Sequence, residues 1–202
     1  EGQIVDTSLL EAAIGLTVWE SAEYWGSHSI PQPRGSAHRL VAPYQAIESL
    51  DGFFNIGIAN QINYEKFCGA INRQDLLTNP DFIDNPSRLI HYKELIEHIQ
   101  ATTRGKTSNE WLQTLNAHGV PAGPIYSMDE VFNDPQVLHR EMVKELDHPV
   151  AGLVKHLGIH VKLSRTPGSI RIPAPTLGQH TKSVLREYGI AAEVIDKITP
   201  DI

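Results

Sequence analysis

Cysteine is nearly absent from this 202-residue chain. Cys68 stands alone, which excludes an intrachain disulfide and fits a reducing, cytoplasmic compartment. Long apolar runs are missing too: no stretch approaches the ~20 residues needed to span a bilayer. No charged start leads into an apolar run, as a signal peptide requires. Positive charge is scarce. A net charge of −7 argues against a nucleic-acid partner, since phosphate binding needs clustered Lys and Arg. A few local cations would still hold the phosphate of one small ligand. The chain is long enough to bury roughly 70% of its unfolded surface, so a core needs neither disulfide nor metal. It opens on Glu1-Gly2-Gln3 rather than Met, the form expected of a domain fragment or a processed product.

Metal-ligand spacing is also lacking, although there are ten histidines. His91 and His98 lie two turns apart on one helical face, too far to share an ion unaided. His156 and His160 fall on one face of an extended segment, again at a distance. There is no HExxH and no Cys pair. Cys68 sits among Phe67, Ala70 and Ile71, which describes a small buried residue rather than an activated nucleophile.

Periodicity then organises the chain. Gly2–Asp6 reads as a short strand. Ser8 and Glu11 form a capping-box pattern ahead of a helix buried on most sides and ended by Gly26. A loop follows over 31–36. Tyr44 to Ile58 predicts a hairpin turning at Asp51-Gly52, a pair that accepts positive φ. The next helix places Ile62, Phe67, Ala70 and Ile71 on its buried side. Asn79-Pro80 and Asn85-Pro86 mark turns.

Ser87–Thr102 is helical, with Tyr92, Leu95, Ile96 and Ile99 on one face. Thr107 and Glu110 make a second capping box, and Gly119 closes that helix as a left-handed cap. Val120–Ile125 is a connector into a short strand. Two short helices come next, around 128–132 and 134–140. Extended segments at 143–146 and 153–163 turn at His148-Pro149 and Ala151-Gly152. Two terminal helices, 181–188 and 191–198, are separated by Gly189. The sum is α+β: antiparallel strands with flanking helices and no βαβαβ series.

Among these residues only Arg34-Gly35-Ser36-Ala37-His38 suggests a site. It is a loop able to approach a ligand backbone-first, with Arg34 and Arg39 as anion partners. A plain interdomain loop has the same composition. Asp51 is explained by its turn, and Asp6 and Glu11 by capping.

Ordered strings along the whole chain resemble the family III CoA-transferases, the carnitine-dehydratase and bile-acid-inducible (CaiB/BaiF) group. They begin with Gly2-Gln3-Ile4-Val5-Asp6-Thr7-Ser8-Leu9-Leu10-Glu11, then Arg34-Gly35 and Ala42-Pro43-Tyr44. Asp51-Gly52, Ala59-Asn60, Phe67-Cys68, Asp81-Phe82, Arg88 and Trp111-Leu112 follow. Gly119–Pro124, Asp134-Pro135-Gln136, Pro149 with Gly152, Thr166-Pro167 and Pro175–Thr181 complete the set.

The resemblance implies a transferase that moves coenzyme A between an acyl-CoA and a small carboxylic acid through an aspartyl-CoA thioester. The thioester is substrate, and neither cofactor nor metal is implied. It implies an interlocked homodimer with a Rossmann-like large domain, whose catalytic aspartate precedes Gly2-Gln3. On that basis residues 1–30 are a linker helix from the absent large domain. Residues 31–125 form the small α+β domain, and 126–202 return to the large domain. This fragment alone is expected to be inactive and to contain no catalytic residue. With their partner surface absent, Val184, Leu185, Val194 and Ile195 are expected to be uncovered.

Gly35–His38 matches the place of a glycine-rich active-site loop in formyl-CoA transferases, but only Gly35 is glycine here. Asn60 stands where related acyl-CoA racemases carry a glutamate; an amide has no basicity for α-proton exchange, which favours transferase over racemase. A noncatalytic dimerisation or partner subunit is the alternative from another class. His160 replaces the family's usual proline.

Overall fold

The computed structural model describes residues 2–199. They divide into two units, one running to Ile125 and one starting at Tyr126. Residue 1 and residues 200–202, the ends of the first and third expected segments, lie outside the described residues.

The first unit opens with α1 (Leu9–Leu16) and α2 (Val18–Ser27). Ser8 caps α1, its Oγ accepting the Glu11 N–H at 3.1 Å. The expected single helix is broken at Thr17, whose N–H and hydroxyl both donate to the Ile14 carbonyl three residues back. It ends one residue beyond Gly26, on left-handed His28. Gly2–Asp6 forms no strand: among the described residues none pairs with its backbone. Nor are these helices buried: Leu9 is 92% exposed and Leu16 87%. Nothing within the described chain covers their apolar faces.

β1 (Tyr44–Glu48) and β2 (Phe53–Gly57) are the expected hairpin, with Ser49 N–H donating to the Gly52 carbonyl and Gly52 at φ 148°. β2 buries Phe54 and Ile56 and turns Phe53 and Asn55 outward, the alternation of a half-covered sheet. α3 (Gln61–Ala70) buries Tyr64, Phe67 and Cys68. Ile62, expected inside, is 65% exposed, because it belongs to the solvent side of the first turn. α4 (Asp75–Thr78) and a 3-10 turn over Pro80–Phe82 follow. Asn85-Pro86 begins a helix rather than a turn: Asp84 caps α5 (Asn85–Ile90), and proline is well suited to a first turn.

The predicted 87–102 helix is therefore two pieces, α5 and α6 (Tyr92–Thr103), separated at His91. α6 buries Leu95, Ile96 and Ile99. Thr107 and Glu110 make the full capping box of α7 (Ser108–Ala117), and Gly119 stands at φ 64°. β3 (Ala122–Pro124) then pairs antiparallel with β2, giving sheet order β1-β2-β3. The core lies between this sheet and helices α3, α6 and α7, from Ile47, Phe54 and Ile56 to Phe67, Ile99 and Leu115.

The hairpin tip is tied to the start of α7. Asp51 Oδ1 accepts the Ser108 N–H at 2.7 Å and the Ser49 hydroxyl at 2.9 Å.

The second unit contains α8 (Met128–Asn133) and α9 (Pro135–His139), the hairpin β4 (Val143–His148) and β5 (Gly152–Leu157), and α10 (Thr181–Glu187) with α11 (Ala192–Ile198). The β4–β5 turn is closed by His148 Nδ1, which accepts the N–H groups of Val150 and Ala151. β5 stops at Leu157, short of the extended reach to Leu163 that the residue pattern suggests. Of the four terminal residues expected to be uncovered, Val184 and Val194 are exposed and Leu185 is half-buried. Ile195 corrects the expectation, being fully buried in the chain as it stands.

Candidate functional site

The loop 30–39 is shaped by local bonds. Gly35 adopts φ 62°, and the Ala37 N–H donates to the Arg34 carbonyl. The His38 N–H donates to the Tyr44 carbonyl, and Ser36 Oγ accepts the Ala46 N–H at 3.1 Å. These bonds fasten the loop to β1. Arg34, Gly35, Ala37 and His38 share a cavity of about 640 Å³ with Leu16, Trp19, Glu20, Glu23 and Arg39. Ser36 is not in its lining, because its hydroxyl is turned to β1.

Charge in this cavity is unevenly matched. Arg39 Nη1 lies 2.7 Å from Glu23 Oε2 and 3.5 Å from Glu20 Oε1, and its guanidinium rests 5.7 Å from the Trp19 ring. Arg34 makes no ion pair among the described residues and is exposed, so it is the cation of this loop open to an anion. His38 stacks on Tyr44 at 5.2 Å, and its Nδ1 accepts the Leu40 N–H.

Asn60 is elsewhere in the same unit. Its side-chain oxygen accepts the Asn63 N–H at 2.9 Å and caps α3. It lines a separate cavity of about 310 Å³ with Val41, Ala59, Gln61, Ile83, Asp84, Asn85 and Arg88. The six residues singled out in the sequence therefore fall in two places rather than one.

Arg88 was legible in the sequence only as one position of a family pattern, yet it is the most unusual residue of this unit. It is 2% exposed. Its Nε donates to the Ala42 carbonyl at 2.7 Å, and Nη1 donates to the Phe82 carbonyl and Gln61 Oε1, both at 3.0 Å. The guanidinium lies 4.0 Å from the Tyr64 ring centroid. Burial pulls its pKa below the usual guanidinium value, though a guanidinium stays charged at any working pH. Asn85 completes the clamp on the 40–42 segment, accepting the Ala42 N–H and donating to the Leu40 carbonyl. A sequence signal existed: in the uninterrupted helix that the 87–102 pattern predicts, position 88 shares a stripe with 92, 95 and 99, and Arg88 is the charge in it.

Cys68 is fully buried, and burial pushes its thiol up to about 12. That suits a packing residue and not a nucleophile. Donor atoms of Asp81, His91 and Glu94 lie within 4.8 Å of one another. The two carboxylates, however, face opposite ring nitrogens, Asp81 at 3.5 Å from Nε2 and Glu94 at 3.9 Å from Nδ1. One imidazole offers a single nitrogen to a given ion, so this geometry is that of two carboxylates flanking one surface imidazole.

The profile of CoA-transferase family III matches residues 1–181. The chain belongs to this family. It is 32% identical over 93% of its length to a human protein named succinyl-CoA:glutarate CoA-transferase, covering 43% of that protein. It is 35% identical over 99% of its length to an acyl-CoA transferase of Fusarium pseudograminearum, covering 44% of it. A solved CaiB/BaiF family protein from Brucella suis superposes with a TM-score of 0.78 at 28% identity, over 93% of this chain and 48% of that one. The chain thus spans about half the length of the family members it matches. The α+β arrangement described above is a partial family III fold.

Proposed function

We propose that the protein to which this chain belongs is an acyl-CoA:carboxylate CoA-transferase acting on dicarboxylic acids. The family match along nearly the whole chain carries this reading, and the human relative's name supplies the substrate class. The catalytic aspartate lies upstream of residue 2. Its carboxylate oxygen attacks the acyl-CoA carbonyl, releasing the CoA thiolate and forming a mixed anhydride. The thiolate attacks the aspartyl carbonyl of that anhydride, which frees the donor acid and leaves an aspartyl-CoA thioester. The acceptor carboxylate then reverses the sequence and departs as acyl-CoA. Covalent relay of this kind splits one difficult transfer into easier steps.

In this proposal α1 and α2 link to the large domain, residues 31–125 are the small domain, and 126–202 return to the large one. The uncovered apolar faces of α1 and α2 support a covering partner. Two subunits interlock, and the chain alone is inactive. Arg34, exposed and without an ion pair among the described residues, is the cation this reading assigns to an anionic group of the acyl-CoA. The Asn60 amide, spent on capping α3, leaves no base there and disfavours a racemase.

The intact mass of the source protein is the first check. About twice 22.4 kDa fits a catalytic half upstream; a mass equal to this chain turns the reading into a partner-dependent subunit. Incubation of the intact protein with succinyl-CoA and glutarate should yield glutaryl-CoA, and borohydride should trap one aspartate as an alcohol. Absence of transfer to any acid would overturn the proposal.

A further inference from the structure

We propose that Arg88 and the cavity between α3 and α5 hold the second, non-reacting carboxylate of a dicarboxylate substrate. The inference rests on the transferase reading for the identity of the ligand, and on geometry for the site.

Every bond the Arg88 guanidinium makes is to a neutral acceptor: two backbone carbonyls and an amide oxygen. Among the described residues no carboxylate lies within ion-pair distance of it. Removing a guanidinium from water costs several kcal/mol unless its charge is matched, and neutral acceptors with an aromatic face match it only partly. Asp84 lines the same cavity and acts on the Arg88 charge through space, though beyond ion-pair distance; its Oδ1 is engaged with the Ser87 N–H at 2.8 Å as the cap of α5.

Nη2 is the guanidinium nitrogen with no hydrogen-bond partner among the described residues. Nε and Nη1 are occupied, and Nη2 is the donor left over. A buried cation with an unused donor thus lines a cavity of about 310 Å³. The first turn of α3 opens on that cavity at Asn60 and Gln61, adding the positive end of a helix dipole. A carboxylate placed there accepts from Nη2 and neutralises the buried charge. A monocarboxylic acid brings a methyl group to the same point and forgoes the bond to Nη2. Sites built to bond a polar group reject analogues that lack it far better than apolar pockets discriminate by size.

Arg88 also holds three segments together, so its removal risks the fold. Gln61→Glu tests the site with Arg88 in place. The new carboxylate accepts from Nη1 where the amide does now, and it supplies the anion that the substrate would otherwise bring. In the intact protein the KM for glutarate should rise at least about tenfold, with kcat held within about twofold and the melting temperature not lowered. Arg88→Lys, which keeps the charge but loses the fork, should raise the same KM. A folded Gln61→Glu protein whose glutarate KM stays within about twofold of the parent overturns the inference. If the parent transfers CoA to no acid, the reading beneath fails instead. Calorimetric binding of glutarate to the parent and to Gln61→Glu then decides the site: weaker binding to the variant supports it, equal binding removes it.

Discussion

At the scale of single residues, burial decides what the titratable groups can do. Cys68 has its thiol pushed up to about 12, so the thiolate fraction at pH 8 is on the order of 10⁻⁴. Reaction with a disulfide reagent should therefore be slow in the folded protein and become fast on denaturation. Rapid modification under native conditions would show an opening of α3 that the packing does not suggest.

The carboxylates behave the opposite way. Asp84 is held below the usual range by the Ser87 N–H, Asp51 by the Ser108 N–H, and Glu110 by the Thr107 N–H. Each is depressed in the folded state relative to an unfolded value of about 4. Their stabilising contribution is full above that value and is lost as pH falls through the lower folded values. Melting temperature should be insensitive to these groups between pH 6 and 8, which are test conditions, and decline below about pH 4. A protein whose melting temperature climbs on acidification would contradict the capping geometry.

At the scale of elements, local chemistry was readable where both partners are close in sequence. Thr107 with Glu110 and Ser8 with Glu11 spell their caps, and Asp51-Gly52 spells its turn. Replacing Thr107 by Ala should cost about 1 kcal/mol, measured by denaturant unfolding, because it strips one half of a complete capping box. What escaped the sequence depended on distant partners. The break at Thr17 follows from a hydroxyl choosing the Ile14 carbonyl, which composition does not reveal. The exposure of α1 could not be read from Leu9 and Leu16, since an apolar face looks the same whether or not its cover is present. Ile62 misled for a related reason: a helix start admits apolar residues on its wet side. Arg88 was visible as a letter but not as a buried charge, because its acceptors come from Ala42 and Phe82, brought near only by the fold.

At the scale of the whole chain, the two units differ in how much they bury. Most fully buried apolar residues belong to the first, whereas Ile195 is the buried large hydrophobic of the second among the described residues. The second unit's main contacts join sequence neighbours: α8 with α9, β4 with β5, α10 with α11. Amides of α6 should exchange with solvent only through global unfolding, and those of β4 and β5 through much cheaper local openings. Equal protection across both would mean that the second unit is covered in solution. The isolated chain should also bind a hydrophobic dye and self-associate through the uncovered faces of α1 and α2. A monodisperse monomer by light scattering with no dye binding would count against that.

The junction at Asp51 carries a kinetic meaning. It joins positions far apart in the chain, and the bond from the Ser108 N–H forms only once α7 has docked on the hairpin. We expect such a contact to form after the folding nucleus and to be complete only in the finished state. Asp51→Ala, which removes the acceptor, should therefore speed unfolding while leaving the folding limb of the chevron almost unmoved, the mark of a latch closed last.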